Sequence, residues 1–207
     1  MKWRITYFLI FAAFVFVANA NAALVDNGNG TITDTNTNLM WLQDVRYTMT
    51  SGYDSNGRMT WYNAVAWADQ LSFADYDDWR LPATLVPDAT CDISDPAVGF
   101  GCRGSELGYM NYVNGINRYS PGPFQNMSVP QLYFWSGTEF STTDAYYITM
   151  SGPIYEQDYV PKSTDNSFFA WAVRDINVVP EPISSILFVT GGSLLVGWRF
   201  LKSKNRA

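Results

Sequence analysis

The sequence predicts one α+β domain in which an opening β-hairpin is followed by two helices and closed by an antiparallel meander. Three observations carry this expectation. Strand-forming residues flank a Gly/Asn turn near the start, apolar side chains recur every three or four residues in the middle, and the period drops to two toward the end. Strands, then helices, then strands is the order of an α+β layer architecture rather than of an alternating βαβ sheet.

The hairpin is read from Leu24-Val25-Asp26 and Thr31-Ile32-Thr33-Asp34 on either side of Asn27-Gly28-Asn29-Gly30, and the strand pattern ends at Leu39-Met40-Trp41. Thr60 stands where an N-cap is wanted. After it Trp61, Ala64, Val65, Ala68 and Leu71 share one helical face, with Asn63, Asp69 and Gln70 elsewhere, so Trp61 is a core anchor. A second helix begins after Ser105, with Leu107, Met110 and Val113 inward. Tyr133 to Thr138, Ala145 to Ser151 and Ser167 to Asp175 are rich in aromatic and β-branched residues and make the meander. In the last of them Phe169, Trp171 and Val173 alternate with Phe168, Ala170, Ala172 and Arg174, which predicts one buried face and one lighter face.

The two ends of the chain read as targeting devices. Lys2 and Arg4 precede an apolar stretch from Ile5 to Ala18, and the small residues that follow offer cleavage after Ala22, with Ala20 as the alternative. At the other end Val179-Pro180-Glu181-Pro182 precedes an uncharged run of 16 residues, Ile183 to Trp198, and then Arg199, Lys202, Lys204 and Arg206. Two prolines around one carboxylate break regular structure and leave an extended, accessible backbone. The run makes about 24 Å of helix against a hydrocarbon core of about 30 Å, so it spans only if Arg199 and Lys202 snorkel outward. This order resembles the PEP-CTERM sorting signal of exported bacterial proteins. The resemblance implies that Pro180, Glu181 and Pro182 are handled by an exosortase-type membrane protease. It also implies a precursor held in the inner membrane of a Gram-negative-type bacterium, then the cell surface or extracellular matrix. An ordinary C-terminal membrane anchor is the alternative. The expected organisation is a signal peptide over 1–22, an exported domain over 23–176, and a sorting signal over 177–207 with its membrane helix at about 183–201.

Without those ends, seven basic residues face 18 acidic ones, a charge of about −11 where the whole chain carries −6. Nucleic acid is thereby excluded as a partner, because phosphate binding needs clustered Lys and Arg. The chain has no histidine, which removes Ser-His-Asp and Cys-His catalysis and the common zinc sites. Cys91 and Cys102, the only cysteines, are expected to form a disulfide in an oxidising compartment; a reactive thiol is the alternative. No cofactor is expected. Trp41, Trp61, Trp67, Trp79, Trp135 and Trp171 either fill a core or present flat faces to sugars, and helical spacing assigns Trp61 to the core.

A second resemblance rests on motifs that follow one order: Asp26 to Asp34, Leu39-Met40-Trp41-Leu42, Met59-Thr60-Trp61, Ala64 to Ala68, Asp77-Asp78-Trp79-Arg80-Leu81-Pro82, Glu106-Leu107, Trp135-Ser136-Gly137-Thr138 and Ala170-Trp171-Ala172-Val173-Arg174. Together they are similar to the C-terminal domain of the Legionella collagen-like adhesin. The resemblance implies a C-type-lectin-like fold and an extracellular polysaccharide-binding role, in biofilm, exopolysaccharide or adhesion. Sulfated ligands, which that family's best-described member binds, want a basic surface, and the seven cations here make a poor one. The Glu-Pro-Asn or Gln-Pro-Asp and Trp-Asn-Asp triplets of calcium-dependent lectins are missing, and Asp26-x-Gly28-x-Gly30 reads as a turn rather than a calcium loop. Asp75, Asp77 and Asp78 read as loop acids, and no metal is expected. Arg80 and Arg174 should pair with acids such as Asp78 or Glu106. Three functions remain: a non-catalytic surface or matrix module that binds carbohydrate, a structural or protein-interaction module, and a hydrolase using Glu106 or Glu139.

Overall fold

Glycines at two tight places set how the first elements form. In the computed structural model, which describes residues 24–92, 98–151 and 155–176, β1 (Leu24–Asp26) and β2 (Thr31–Asp34) pair antiparallel across the Asn27–Gly30 turn. Gly30 has a φ of +83°, and a Cβ on it would sit 2.8 Å from the Phe73 ring, so any side chain there is opposed twice. β3 (Leu39–Leu42) pairs with β2 in a register that sets Ile32 opposite Trp41. The expected opening hairpin is therefore present and extended by a third strand.

A single helical turn, α1 (Tyr47–Thr50), precedes α2 (Trp61–Asp69). Thr60 caps α2 as its sequence position predicts, its hydroxyl accepting from the Asn63 amide. Beyond β4 (Gly99–Phe100) comes α3 (Glu106–Tyr112), which buries Leu107 and Met110. Val113 does not turn inward as expected: it is the C-cap residue and is 48% exposed, because the helix ends one residue before it. Gly108 on α3 packs against the backbone of Cys102, whose carbonyl oxygen would lie 1.8 Å from an added Cβ. Cys91 and Cys102 are joined as a disulfide.

β5 (Tyr133–Glu139), β6 (Asp144–Thr149) and β7 (Glu156–Pro161) follow, and the second sheet runs β4-β7-β6-β5, all antiparallel. β7 has no counterpart in the sequence reading, since Glu156-Gln157-Asp158 lacks the apolar alternation that marks a strand. The expected third meander strand, Ser167 to Asp175, is also different. Only β8 (Val173–Asp175) is a regular strand, and it joins the first sheet, in the order β1-β2-β3-β8.

The residues before β8 run between the two sheets. Phe169 exchanges backbone hydrogen bonds with β5, donating to Tyr133 at 2.8 Å and accepting from Trp135 at 3.0 Å, while Leu42 of β3 donates to Ala172 at 3.1 Å. With a sheet on either side, Phe168 to Arg174 are buried throughout, so the expected lighter face does not exist. Trp171 is the centre of this packing. Its ring lies within 4.8 to 5.5 Å of those of Trp41, Phe124 and Phe134, and its indole N–H donates to Leu42 O at 2.8 Å. All six domain tryptophans are buried.

The described residues up to Asp175 form one compact unit. Signal cleavage at Ala22, the Pro180-Glu181-Pro182 motif and the expected membrane helix over 183–201 lie outside the described residues. Among the described residues no helix is long and apolar enough to cross a membrane. Truncating Trp171 to alanine removes the shared ring contact of both sheets and should cost about 3–5 kcal/mol. A smaller loss of midpoint in chemical unfolding than Trp67→Ala, a tryptophan confined to α2, would contradict this central role.

Candidate functional site

Three chain segments far apart in sequence enclose a solvent-open cleft of about 310 Å³. α2 supplies Trp61, Val65 and Asp69, the stretch after Trp79 supplies Arg80, Leu81 and Ala83, and β5 supplies Gly137 and Thr138. The helix is tied to the sheet by the Trp61 indole N–H, which donates to Ser136 O at 2.8 Å. The middle segment is stitched to β5 by Gly137 N–H donating to Pro82 O at 2.8 Å and by Thr84 N–H donating to the Thr138 hydroxyl at 2.9 Å. Gly137 keeps this seam close, since a Cβ there would meet Leu81 O at 3.3 Å.

Arg80 forms the charged end of the cleft. Its guanidinium donates twice to Glu106 at 2.8 Å, twice to Asp175 at 3.0 and 3.3 Å, and once to Leu81 O at 3.2 Å. All five guanidinium N–H groups are thus engaged within the protein. Hydrogen bonding to Glu106, outweighing the cost of burial, holds Arg80 protonated above its ordinary range. Glu106 also accepts from the Ala83 amide at 2.7 Å, which fixes the start of α3 against the cleft wall. Asp69, by contrast, is exposed and has no hydrogen-bond or ion-pair partner among the described residues.

The other cations are engaged in the same way. Arg174 makes a bidentate pair with Asp78, at 2.5 and 2.9 Å, and lies 3.8 Å over the Tyr76 ring. Lys162, with a side chain only 3% exposed, donates to Ser141 O, Thr142 O and Glu139 and sits 4.8 Å over Trp61. Arg103 and Arg118 bond to backbone carbonyls, and Arg46 and Arg58 both lie over Phe169. Four of the seven, Arg80, Arg103, Lys162 and Arg174, pair with carboxylates and Arg118 with two carbonyls, whereas Arg46 and Arg58 have no carboxylate partner among the described residues.

The structure sorts the residues singled out in the sequence. Arg80 and Arg174 each pair with acids, as expected; Asp78 binds Arg174 rather than Arg80, because β8 carries Arg174 to it. Glu106 and Glu139 are each held by a cation, Arg80 and Lys162, and neither is a free carboxylate. Asp88, Cys91 and Cys102 cluster within 4.8 Å, but the two sulfurs are bonded to each other and offer no thiolate to a metal. Two smaller hollows are less suited to a ligand. One, of about 10 Å³ beside Asn111 and Cys102, has room for a single water; the other, of about 220 Å³ between Tyr47 and Phe73, has Asp44 already bonded to Thr50 and to the Arg46 amide.

The sequence profile of the Lcl C-terminal domain family matches residues 30–174. The chain belongs to that family. The matched span of this Lcl C-terminal domain runs from the hairpin glycine Gly30 to Arg174, and so takes in the whole cleft. Comparison with curated proteins and with solved structures yields no match.

Sequence reasoning placed Asp69 on a solvent face and Lys162 among scattered cations, with no signal that either borders the cleft region. Only the fold brings residues 61–69, 80–83 and 137–138 together. The Asp78 carboxyl is held below its ordinary value of 3.8, chiefly by the Arg174 hydrogen bond against an opposing cost of burial. A depressed folded value contributes stability that is complete above about pH 4 and is lost as the pH falls toward the folded value. Asp78→Asn should therefore lie below the parent in thermal midpoint at neutral pH and approach it as the pH falls from 3.8 through the lowered folded value, with a gap narrowed by salt. A gap as wide at low pH as at neutral pH would reject the assignment.

Proposed function

We propose that this Lcl C-terminal domain is an exported, non-catalytic recognition module of the cell surface or extracellular matrix, with a C-type-lectin-like fold, and that it binds polysaccharide in the Trp61–Asp69–Arg80–Thr138 cleft. The single observation that carries the reading is the cleft itself: open, about 310 Å³, lined by Val65, Leu81, Ala83 and the small exposed part of Trp61, with polar groups at its rim. A sugar ring fits such a lining, since it offers apolar C–H faces and a belt of hydroxyls at once. Family membership supports an extracellular role, and the hairpin, two main helices and antiparallel strands support the lectin-like fold.

Charge narrows the ligand. The surplus of acids, and the pairing of the cations nearest the cleft, Arg80 and Lys162, with carboxylates, argue against sulfated or uronic polymers there. The carboxylates named for a hydrolase support no such activity, because Glu106 and Glu139 are both tied to cations. A protein-interaction role is the second reading. It draws on an exposed aromatic pair, Phe140 and Tyr159, stacked at 3.6 Å and 46% and 38% exposed.

Full-length protein purified in detergent should be retained on polysaccharide from its producer, with and without chelator. Ala83→Trp, which fills the cleft from an exposed position, should weaken retention about tenfold or more, or about 1.4 kcal/mol, without moving the thermal midpoint. Retention that Ala83→Trp leaves intact would place the site elsewhere.

Sorting is a separate part of the proposal. The proline pair, apolar run and basic tail support processing by an exosortase-type protease from an inner-membrane precursor, after signal cleavage at Ala22. Replacing Pro180, Glu181 and Pro182 with alanine should leave full-length precursor in the inner membrane fraction, read by immunoblot; release at the parent rate would exclude the motif's role.

A further inference from the structure

The cleft carries a charge preference that the general carbohydrate reading does not contain. At its charged end Arg80 is shared between two carboxylates, Glu106 and Asp175, so that group of three carries one net negative charge. Over the Trp61 ring, Lys162 is matched by Glu139. Asp69 adds a further negative charge at the rim, and no cation among the described residues forms an ion pair with it. With its cations offset and Asp69 unpaired, the cleft presents a net charge of about −2 to a ligand.

Asp69 is also placed against the interest of its own helix. It is the last residue of α2, whose final turn has no basic residue, so a carboxylate stands where the helix carbonyls already make the potential negative. A positive group bound there would be drawn by the side chain and by the helix end together. Arg80 cannot serve this purpose, because its N–H groups are all engaged and it faces its own two acids.

We infer that the cleft is selective for a cationic sugar: a hexosamine polymer in which at least some amines are free and protonated, lying along the cleft with an ammonium at Asp69. The inference rests on the carbohydrate reading and adds the charge class of the ligand. An ammonium supplies the missing partner of Asp69 as an ion pair, whereas an N-acetyl group supplies only a neutral amide.

The test is titration calorimetry of the full-length chain in detergent against two probes of equal length, a glucosamine hexamer with free amines and its fully N-acetylated counterpart. The free-amine hexamer should bind about tenfold tighter or more, with the preference lost in high salt and as the pH rises past deprotonation of the amine. Asp69→Asn should reduce the preference to about twofold or less. Its thermal midpoint should stay level or rise by about 1–3 °C, since the unfavourable charge at the helix end is gone. Equal binding of both hexamers, or tighter binding of the N-acetylated one, overturns the charge preference and leaves the carbohydrate reading standing. A preference that survives Asp69→Asn, or full competition by polylysine, likewise overturns it. If neither hexamer binds while Ala83→Trp still reduces retention on the producer's polymer, the charge preference alone has failed. If no glycan is retained at all, both readings have failed.

Discussion

The buried strand from Phe168 to Asp175 is the constraint on which the rest of this structure depends. It takes backbone hydrogen bonds from β5 at one end and pairs with β3 at the other, so it belongs to both sheets and closes the space between them. From Phe168 to Arg174 its residues are buried, and Trp171 supplies the rings of Trp41, Phe124 and Phe134 with a common partner. The same strand sets the electrostatics. Val173 exchanges hydrogen bonds with Arg80, while the neighbouring Arg174 and Asp175 reach Asp78 and Arg80. One segment thus positions the core, two arginine clamps and one wall of the cleft.

Those clamps hold two arginines, Arg80 and Arg174, against the domain's own acids. A guanidinium offers five donors in a fixed plane, and Arg80 uses all five while Arg174 combines a carboxylate with a ring face. Ion pairs of this kind are weak contributors to stability in themselves, but breaking one strands the other charge. Here their larger effect is on recognition. Arg80, Lys162 and Arg174, held by the protein's own acids, are less available to polyanions, and the excess carboxylates dominate the net charge.

The cleft is a consequence of packing rather than of a motif. Trp61 is fixed by its bond to Ser136, the 80–84 segment by Gly137 and Thr138, and the start of α3 by the contact of Glu106 with Ala83. Each link is one hydrogen bond between segments distant in sequence; together they leave an open hollow edged by Trp61. The two largest core contributors of β5, Phe134 and Trp135, face away from solvent, so β5 can line the cleft with Gly137 and Thr138 only.

Much of the architecture was legible because it depends on local periodicity. The Gly/Asn turn, the Thr60 cap, the inward face of Trp61, Ala64 and Ala68, and the first two meander strands each follow from neighbours a few residues apart. β7 was not legible, since its acidic start hides the pattern and its pairing with β6 supplies the hydrogen bonds that the sequence does not advertise. The last segment misled in the opposite direction: its alternation is real in the sequence, but a second sheet covers the face that should have been light. The sequence by itself determined the composition of charge, the lack of histidine, the pairing of its only two cysteines and the order of elements. Which acid meets which arginine, and that Asp69 is left alone beside Trp61, was decided by tertiary structure, because those contacts join residues 26, 95 or 96 positions apart that no local rule connects.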